Sequence, residues 1–284
     1  MAKKVRFEEM LPHELAEARQ ARPVAYLPVG GLEWHGRHNC VGLDTVKIHA
    51  VCMHIAAETG GVVFPALFWG DFREHALMDA NHDPDGLIAA DYGLTKWNFR
   101  PGYMRGSPFE RPEHYARLLM HCLDEMTSFG FEVLVIAAGH YPLLGPARAA
   151  CQMFYNDRGH IAWAFTGYEL VRDEIPEAGD HAGPWETSLM LALRPDLVDL
   201  DRAEGPSAIP GLYERVKEKS SAEFGRKALQ AITARVHEVN ERCLAALRNP
   251  DPSLFELPWL AVCRGATRIA DLRAHDGKGP ARMT

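Results

Sequence analysis

Glu33, His35 and Asp44 lie within twelve positions of one another, in Leu32-Glu33-Trp34-His35-Gly36-Arg37-His38 followed by Gly42-Leu43-Asp44-Thr45. They come directly after Val24–Val29, an apolar run that predicts a buried strand. Polar groups crowded at the end of a buried strand are costly to hold there unless something pairs them. A divalent cation is the simplest partner. Glu33 and His35 are two positions apart, so an extended backbone projects both to one side. His140 ends a second apolar run, and Asp180 to Ser188 looks like a loop entering a helix that carries His181 and Glu186. Carboxylates and imidazoles from three such places suit two divalent cations with one carboxylate bridging. The mixture of oxygen and imidazole donors fits zinc or manganese, and the lack of nearby thiols argues against an iron–sulfur site. A lone Glu or His is usually a surface or satisfied core group. The metal reading rests on Glu33, His35, Asp44, His140 and Glu186 occurring together.

The elements that must position these groups alternate. Spacing and breakers predict helices over 8–19, 45–59, 113–129, 146–157, the start of 187–193 and most of 214–247, with Gly225 a point where the last could divide. Strands are expected at 24–29, 61–67, 131–140 and 161–165. In the 45–59 helix, Val46, Ala50, His54 and Ile55 share one side. Strands alternating with helices indicate parallel βαβ units with right-handed crossovers, and strands apolar on both faces fit a sheet covered on both sides. The fold class is α/β, a single layered α/β/α domain over 1–284 with a mostly parallel sheet. In such sheets functional groups gather beyond the carboxyl ends of the strands.

Between the second strand and the next helix runs a polar insertion, about 71–111, with weak periodicity. A structureless loop of that length is uncommon in a compact domain, so short elements bordering a binding site are expected. It holds Asp71, Arg73, His75, Asp79, His82, Asp83, Lys96, Asn98, Arg100 and Arg105, with Trp69 and Trp97 nearby. These groups suit either a polyhydroxylated ring or a solvated surface and subunit contact. Trp34 and Trp185 flank candidate metal residues, where they wall a pocket or simply pack.

With 284 residues and a net charge of −7, the chain lacks the basic face that nucleic acid requires. No run of about 18 apolar residues offers a membrane span. The basic start, Met1-Ala2-Lys3-Lys4, leads into Phe7-Glu8-Glu9 without the apolar core of a signal peptide. Cys40, Cys52, Cys122, Cys151, Cys243 and Cys263 form no CxxC pair, and fit buried reduced thiols of a cytoplasmic protein.

The run Leu27-Pro28-Val29-Gly30-Gly31-Leu32-Glu33-Trp34-His35-Gly36-Arg37-His38, then Asp44-Thr45, resembles the signature of the creatininase (creatinine amidohydrolase) family. Ala138-Gly139-His140 resembles that family's glycine-histidine turn, and His181-Ala182-Gly183 with Glu186-Thr187-Ser188 resembles its third motif. The resemblance covers roughly residues 20–200. It implies a dinuclear metal centre and a homohexamer. Carried over by position, Glu33 and His140 bind one cation, His35 the other, and Asp44 bridges both. His181 transfers a proton beside the substrate, and solvent shared by the cations is the nucleophile. The family enzyme has a metal-binding Glu two residues after the turn histidine, where this chain has Pro142. Glu186 is then either the replacement ligand or a catalytic acid/base. Tyr141-Pro142-Leu143-Leu144 replaces smaller or polar residues and alters the pocket wall, which makes creatinine a poor candidate substrate.

The expected activity is hydrolytic opening of a small cyclic substrate at a carbonyl, most simply a cyclic amide or related C–N bond. Two alternatives use the same groups. One is carbon–carbon hydrolysis of a cyclic diketone such as a dehydro-inosose, and the other is metal-dependent isomerisation.

Overall fold

Val24–Val29 (β1) is buried at all six positions because both of its faces are covered. The same holds for Val133–Ala138 (β3) and Ile161–Phe165 (β4). With Val62–Val63 (β2) they form a four-stranded, all-parallel sheet of order β2-β1-β3-β4. This computed structural model describes residues 4–70, 83, 85–99, 110–158, 160–207 and 209–249. Cys263, and within the polar insertion Asp71, Arg73, His75, Asp79, His82, Arg100 and Arg105, lie outside the described residues.

Alternation along the strands divides the core into two layers. Val24, Tyr26, Val133, Val135, Trp163 and Phe165 face one side. There they meet α2 (Leu43–Thr59), α6 (Gly167–Val171), α7 (Pro184–Leu193) and α9 (Ala222–Ala246). Leu27, Val29, Leu134 and Ile136 face the other side. They are covered by α1 (Pro12–Ala21), α4 (Glu110–Ser128) and α5 (Leu144–Arg158). The layered α/β arrangement expected from the sequence is thus present. Two further α-helices are short, α3 (Leu87–Asp91) in the polar insertion and α8 (Leu212–Lys219) before α9. No helix among the described residues is long and apolar enough to cross a membrane.

Several boundaries depart from expectation. The second strand covers only Val62 and Val63 rather than 61–67. Pro65 has no amide hydrogen to donate, and the chain rejoins the sheet at a single Val29–Leu67 bridge. The first helix begins at Pro12, after a short 3-10 turn at Phe7–Glu9. Within α2 the buried side carries Lys47, Ile48, Val51, Cys52 and Ile55, while Val46, Ala50 and His54 are half-buried. The long C-terminal helix divides at Ser220–Ser221 rather than at Gly225, because the Ser221 hydroxyl accepts from the Phe224 amide and caps α9.

Gly225 has a different role. A Cβ there would lie 1.9 Å from the Ser188 carbonyl oxygen, so its absence lets α9 press against α7. Gly225→Ala is expected to cost about 1–3 kcal/mol through overpacking, read as a lowered urea midpoint with an unchanged m value. Gly145→Ala, where a Cβ meets nothing within 4 Å, should leave the midpoint unchanged or raise it.

Candidate metal centre

β1 and β3 end side by side, with Val29 paired to Ala138, and the chain leaving each end supplies the candidate ligands. Gly139 allows the first turn of α2 to reach them, since a Cβ there would stand 2.0 Å from the Asp44 carbonyl oxygen. Asp44 is thereby placed between Glu33 and His35 from the β1 loop and His140 from the β3 end. The loop before α7 closes the other side. Asp180 accepts from the Trp185 and Glu186 amides in the first turn of α7, which fixes the direction of that helix. Ala182 adopts a left-handed backbone (φ 54°), a conformation that costs a non-glycine residue about 1–3 kcal/mol. Its amide donates to Glu186 Oε2 at 2.8 Å, holding that strained turn in place.

The result is two overlapping triads that share one carboxylate. Glu33, Asp44 and His140 form the first, and His35, Asp44 and Glu186 the second, with ligand atoms in each within 4.8 Å of one another. His140 Nδ1 lies 3.0 Å from both Glu33 Oε2 and Asp44 Oδ2. His35 Nε2 lies 3.2 Å from Asp44 Oδ1 and 3.5 Å from Glu186 Oε2. All five side chains are buried. His35 Nε2 and Asp44 Oδ2 nevertheless have no partner in hydrogen-bond geometry, as expected of atoms arranged around an ion rather than toward each other. His35 is oriented by its other nitrogen, Nδ1, which meets the Glu33 carbonyl oxygen at 3.0 Å.

Mutual pairing sets the charge states. Burial opposes ionisation of Glu33, yet the imidazoles of His140 and His181 hold its carboxyl down at about 2. Asp44 is likewise held well below the ordinary carboxylate range, against its burial, by His35 and His140. Burial would lower the two imidazoles, but the facing carboxylates raise both His35 and His140 to about 9.

His181 borders the cluster, forming with Glu33 and His35 a third group whose ligand atoms lie within 4.8 Å of one another. Its Nε2 donates to the Trp34 carbonyl oxygen (3.0 Å), so Nδ1, 3.7 Å from Glu33 Oε2, carries no proton and faces the cluster. Burial and the nearby His35 keep its pKa below the ordinary histidine value, which suits a proton acceptor. A cavity of about 390 Å³ opens over these groups, walled by Tyr141, Tyr168, Trp185, Pro142 and Arg172.

A further group in the cluster, Lys47, escaped the sequence analysis. It is buried on α2, its ammonium ion-paired to Glu186 Oε1 and 3.6 Å from Asp44 Oδ1. Those carboxylates hold it protonated against a burial that would lower its pKa. The available signal was a lysine one helical turn after Asp44, flanking Ile48 and Val51 on what proves to be the apolar face. His38, by contrast, is a strut. It is buried, with Nε2 2.9 Å from Asn39 Nδ2 and 3.2 Å from Thr187 Oγ1, and burial pushes its pKa down to about 4. Trp34 packs edge-on to Tyr92 rather than lining the cavity, whereas Trp185 does both, packing against Phe224 and walling the opening.

Comparison with known proteins gives the family. The family model Creatininase, described as creatinine amidohydrolase, matches residues 8–239. The chain belongs to the creatininase family. A creatinine amidohydrolase from Pseudomonas putida is 34% identical over 187 residues, which span 63% of this chain and 67% of that protein. A creatininase crystal structure shares the fold with a TM-score of 0.64, covering 84% of this chain and 98% of the other at 24% identity. Further creatininase structures described as a Zn-Zn type and a Mn form match over the same shares of each chain, at 24% identity and TM-scores of 0.62 and 0.60. As a member of this family the chain is a metal-dependent amidohydrolase.

The paired cluster predicts a distinct pH response in protein stripped of metal by EDTA. Raised imidazoles contribute stability in full below their ordinary value near 6.5, and lose it as pH rises through about 9. The depressed Glu33 carboxyl contributes above its ordinary 4.5 and loses it as pH falls through about 2. The metal-free melting temperature should therefore peak between about pH 4.5 and 6.5 and decline through pH 9, as followed by calorimetry. The His140→Asn variant should show a shallower alkaline decline. An equal decline in wild type and variant would contradict the pairing.

Proposed function

We propose that this family member opens a small cyclic substrate by hydrolysis at a carbonyl, most simply a cyclic amide or related C–N bond. The observation that carries the reading is Asp44, which turns one oxygen toward each triad, Oδ2 to His140 and Oδ1 to His35. Glu33, Asp44 and His140 would hold one divalent ion. His35, Asp44 and Glu186 would hold a second, with zinc or manganese the ions of choice, as in the solved relatives described as Zn-Zn and Mn forms. Such ions, when bound, polarise a carbonyl and acidify a coordinated water.

The protein's own groups do the rest. Glu186 has both oxygens engaged, one by the Lys47 ammonium and one by the Ala182 amide. A carboxylate fixed this way is a placed acceptor, which supports the ligand role over that of a mobile acid/base. His181 Nδ1 is the proton carrier. It faces the cluster and keeps its orientation through Trp34, so it can take a proton from the attacking water and return it to the departing atom. The cavity has the size of a small-molecule site, and Tyr141, Tyr168 and Trp185 line it with aromatic surface. A homohexamer belongs to the same reading on family resemblance, and a cytoplasmic location on the unpaired spacing of the cysteines.

Turnover can be sought across lactams, formamides and cyclic diketones in heavy-oxygen water, where hydrolysis labels a new carboxylate and isomerisation does not. Asp44→Ala should abolish turnover and release bound metal together, because one residue serves both positions. His181→Ala should keep its metal while kcat falls by about 10²–10⁴. Unchanged metal content in the first variant, or normal turnover in the second, would remove that residue from its role.

A further inference from the structure

Among the described residues that line the cavity, Lys47 and Arg172 are the lysine and the arginine. Lys47 is committed, paired to Glu186 and 3.6 Å from Asp44 Oδ1. Arg172 has no carboxylate partner among the described residues, although acids flank it in the chain. Asp173 and Glu174 turn to Arg235, at 2.6 and 2.8 Å, and Glu169 holds Arg148 at 2.7 Å. Asp180, also on the cavity wall, accepts from the Trp185 and Glu186 amides through its two oxygens. The end of α6 makes no demand on Arg172 either, because the Val171 carbonyl already accepts from the Glu174 and Ile175 amides.

The rim that carries this arginine is firmly anchored. Arg172 continues the helical backbone of α6 (φ −62°, ψ −25°), so it stands one turn after Tyr168 on the same side of the helix. Tyr168 walls the cavity, and Gly179 makes room for its ring, since a Cβ there would lie 2.9 Å from the Tyr168 Cδ2. Beyond Arg172 the chain is pinned by Ile175 and Ala178, both buried in the core layer that holds Trp163 and Phe165. Arg172 itself stays exposed.

Resting on the reading of this cavity as a hydrolytic active site, we propose that Arg172 binds a carboxylate carried by the substrate. The substrate class becomes a small cyclic amide with an acidic arm set away from the carbonyl that is attacked. An arginine fork matches a carboxylate through two parallel N–H···O bonds, and one such pair satisfies a single negative charge. A phosphate dianion would call for further donors, and the lysine of the wall is already engaged by Glu186. Tyr141 and Tyr168, whose ring centroids lie 5.2 Å apart, give the aromatic surface against which the ring bearing the acid would lie. Arg172 is thus a specificity-determining residue that acts on the end of the substrate away from the reacting atoms.

The test compares probes that differ in one group: 2-pyrrolidinone against 5-oxoproline and its phosphonate isostere, and dihydrouracil against dihydroorotate. Glu33, Asp44, Asp180 and Glu186 line the same cavity and repel an anion until cations balance them, so binding to the zinc-loaded full-length chain is followed by calorimetry. The carboxylic acid of each pair should bind at least about tenfold tighter than its neutral partner. Arg172→Gln should bring that ratio to about one. Arg117→Gln, which removes a positive charge from the exposed face of α4, should keep the wild-type ratio. The same ratio in wild type and Arg172→Gln, the result that direct capture of the acid by the metal ions would give, overturns the inference. So does a wild type without preference for the acids, or an Arg172-dependent preference for the phosphonate over the carboxylate. Each of these leaves the hydrolytic reading standing, whereas a chain that binds neither Zn²⁺ nor Mn²⁺ removes that reading and the inference with it.

Discussion

Three carboxylates, Glu33, Asp44 and Glu186, are buried within a few ångströms of one another, and everything else at the site answers that repulsion. Unpaired, such charges would be expelled to solvent or protonated. They persist because positive or proton-bearing groups are interleaved among them. His140 stands between Glu33 and Asp44, His35 between Asp44 and Glu186, and Lys47 closes the far side. The raised imidazoles and depressed carboxyls are two views of this one arrangement. It is a cluster prepared to exchange protons for a cation, since the ligand atoms already converge and the competing protons are bound by nothing stronger than the same carboxylates.

The sheet makes that convergence possible. Parallel β1 and β3 end at the same level, so chain leaving one faces chain leaving the other. Gly139 removes the side chain that would keep α2 away, and Gly225 does the same where α9 meets α7. Behind the cluster, the apolar layer of Val51, Ile55, Trp163 and Phe165 is fully buried and densely enclosed. A rigid wall of this kind matters because the ligand atoms tolerate little displacement. Function and packing meet at α2, whose buried side carries Asp44 and Lys47 at its start and plain core residues thereafter.

Histidines of one type acquire separate roles from their surroundings. His35 and His140 face carboxylates on both sides and are drawn toward the charged form. His181 is half-buried beside the cavity, tethered through Nε2, and turns Nδ1 toward Glu33. His38, from the same motif as His35, supports Thr187 at the start of α7. Nothing in the motif's spacing separates these roles; the direction in which each ring nitrogen points does.

By itself the sequence determined the strand runs, the alternation with helices and the short list of acidic and imidazole groups. These follow from local rules: apolar periodicity, helix breakers, and the rarity of polar residues beside buried strands. It also determined the family, through the motifs around Glu33–His38, His140 and His181–Glu186. Helix ends set by capping, such as the division at Ser221, were less legible, because they depend on single hydrogen bonds. Only the tertiary structure decided that Lys47 belongs to the site, that Glu186 is gripped through both oxygens, and that Asp44 presents one oxygen to each triad. Those facts depend on the rotation of α2 and α7 about their axes. That rotation is fixed by packing against strands and helices distant in the chain, and no local pattern encodes it.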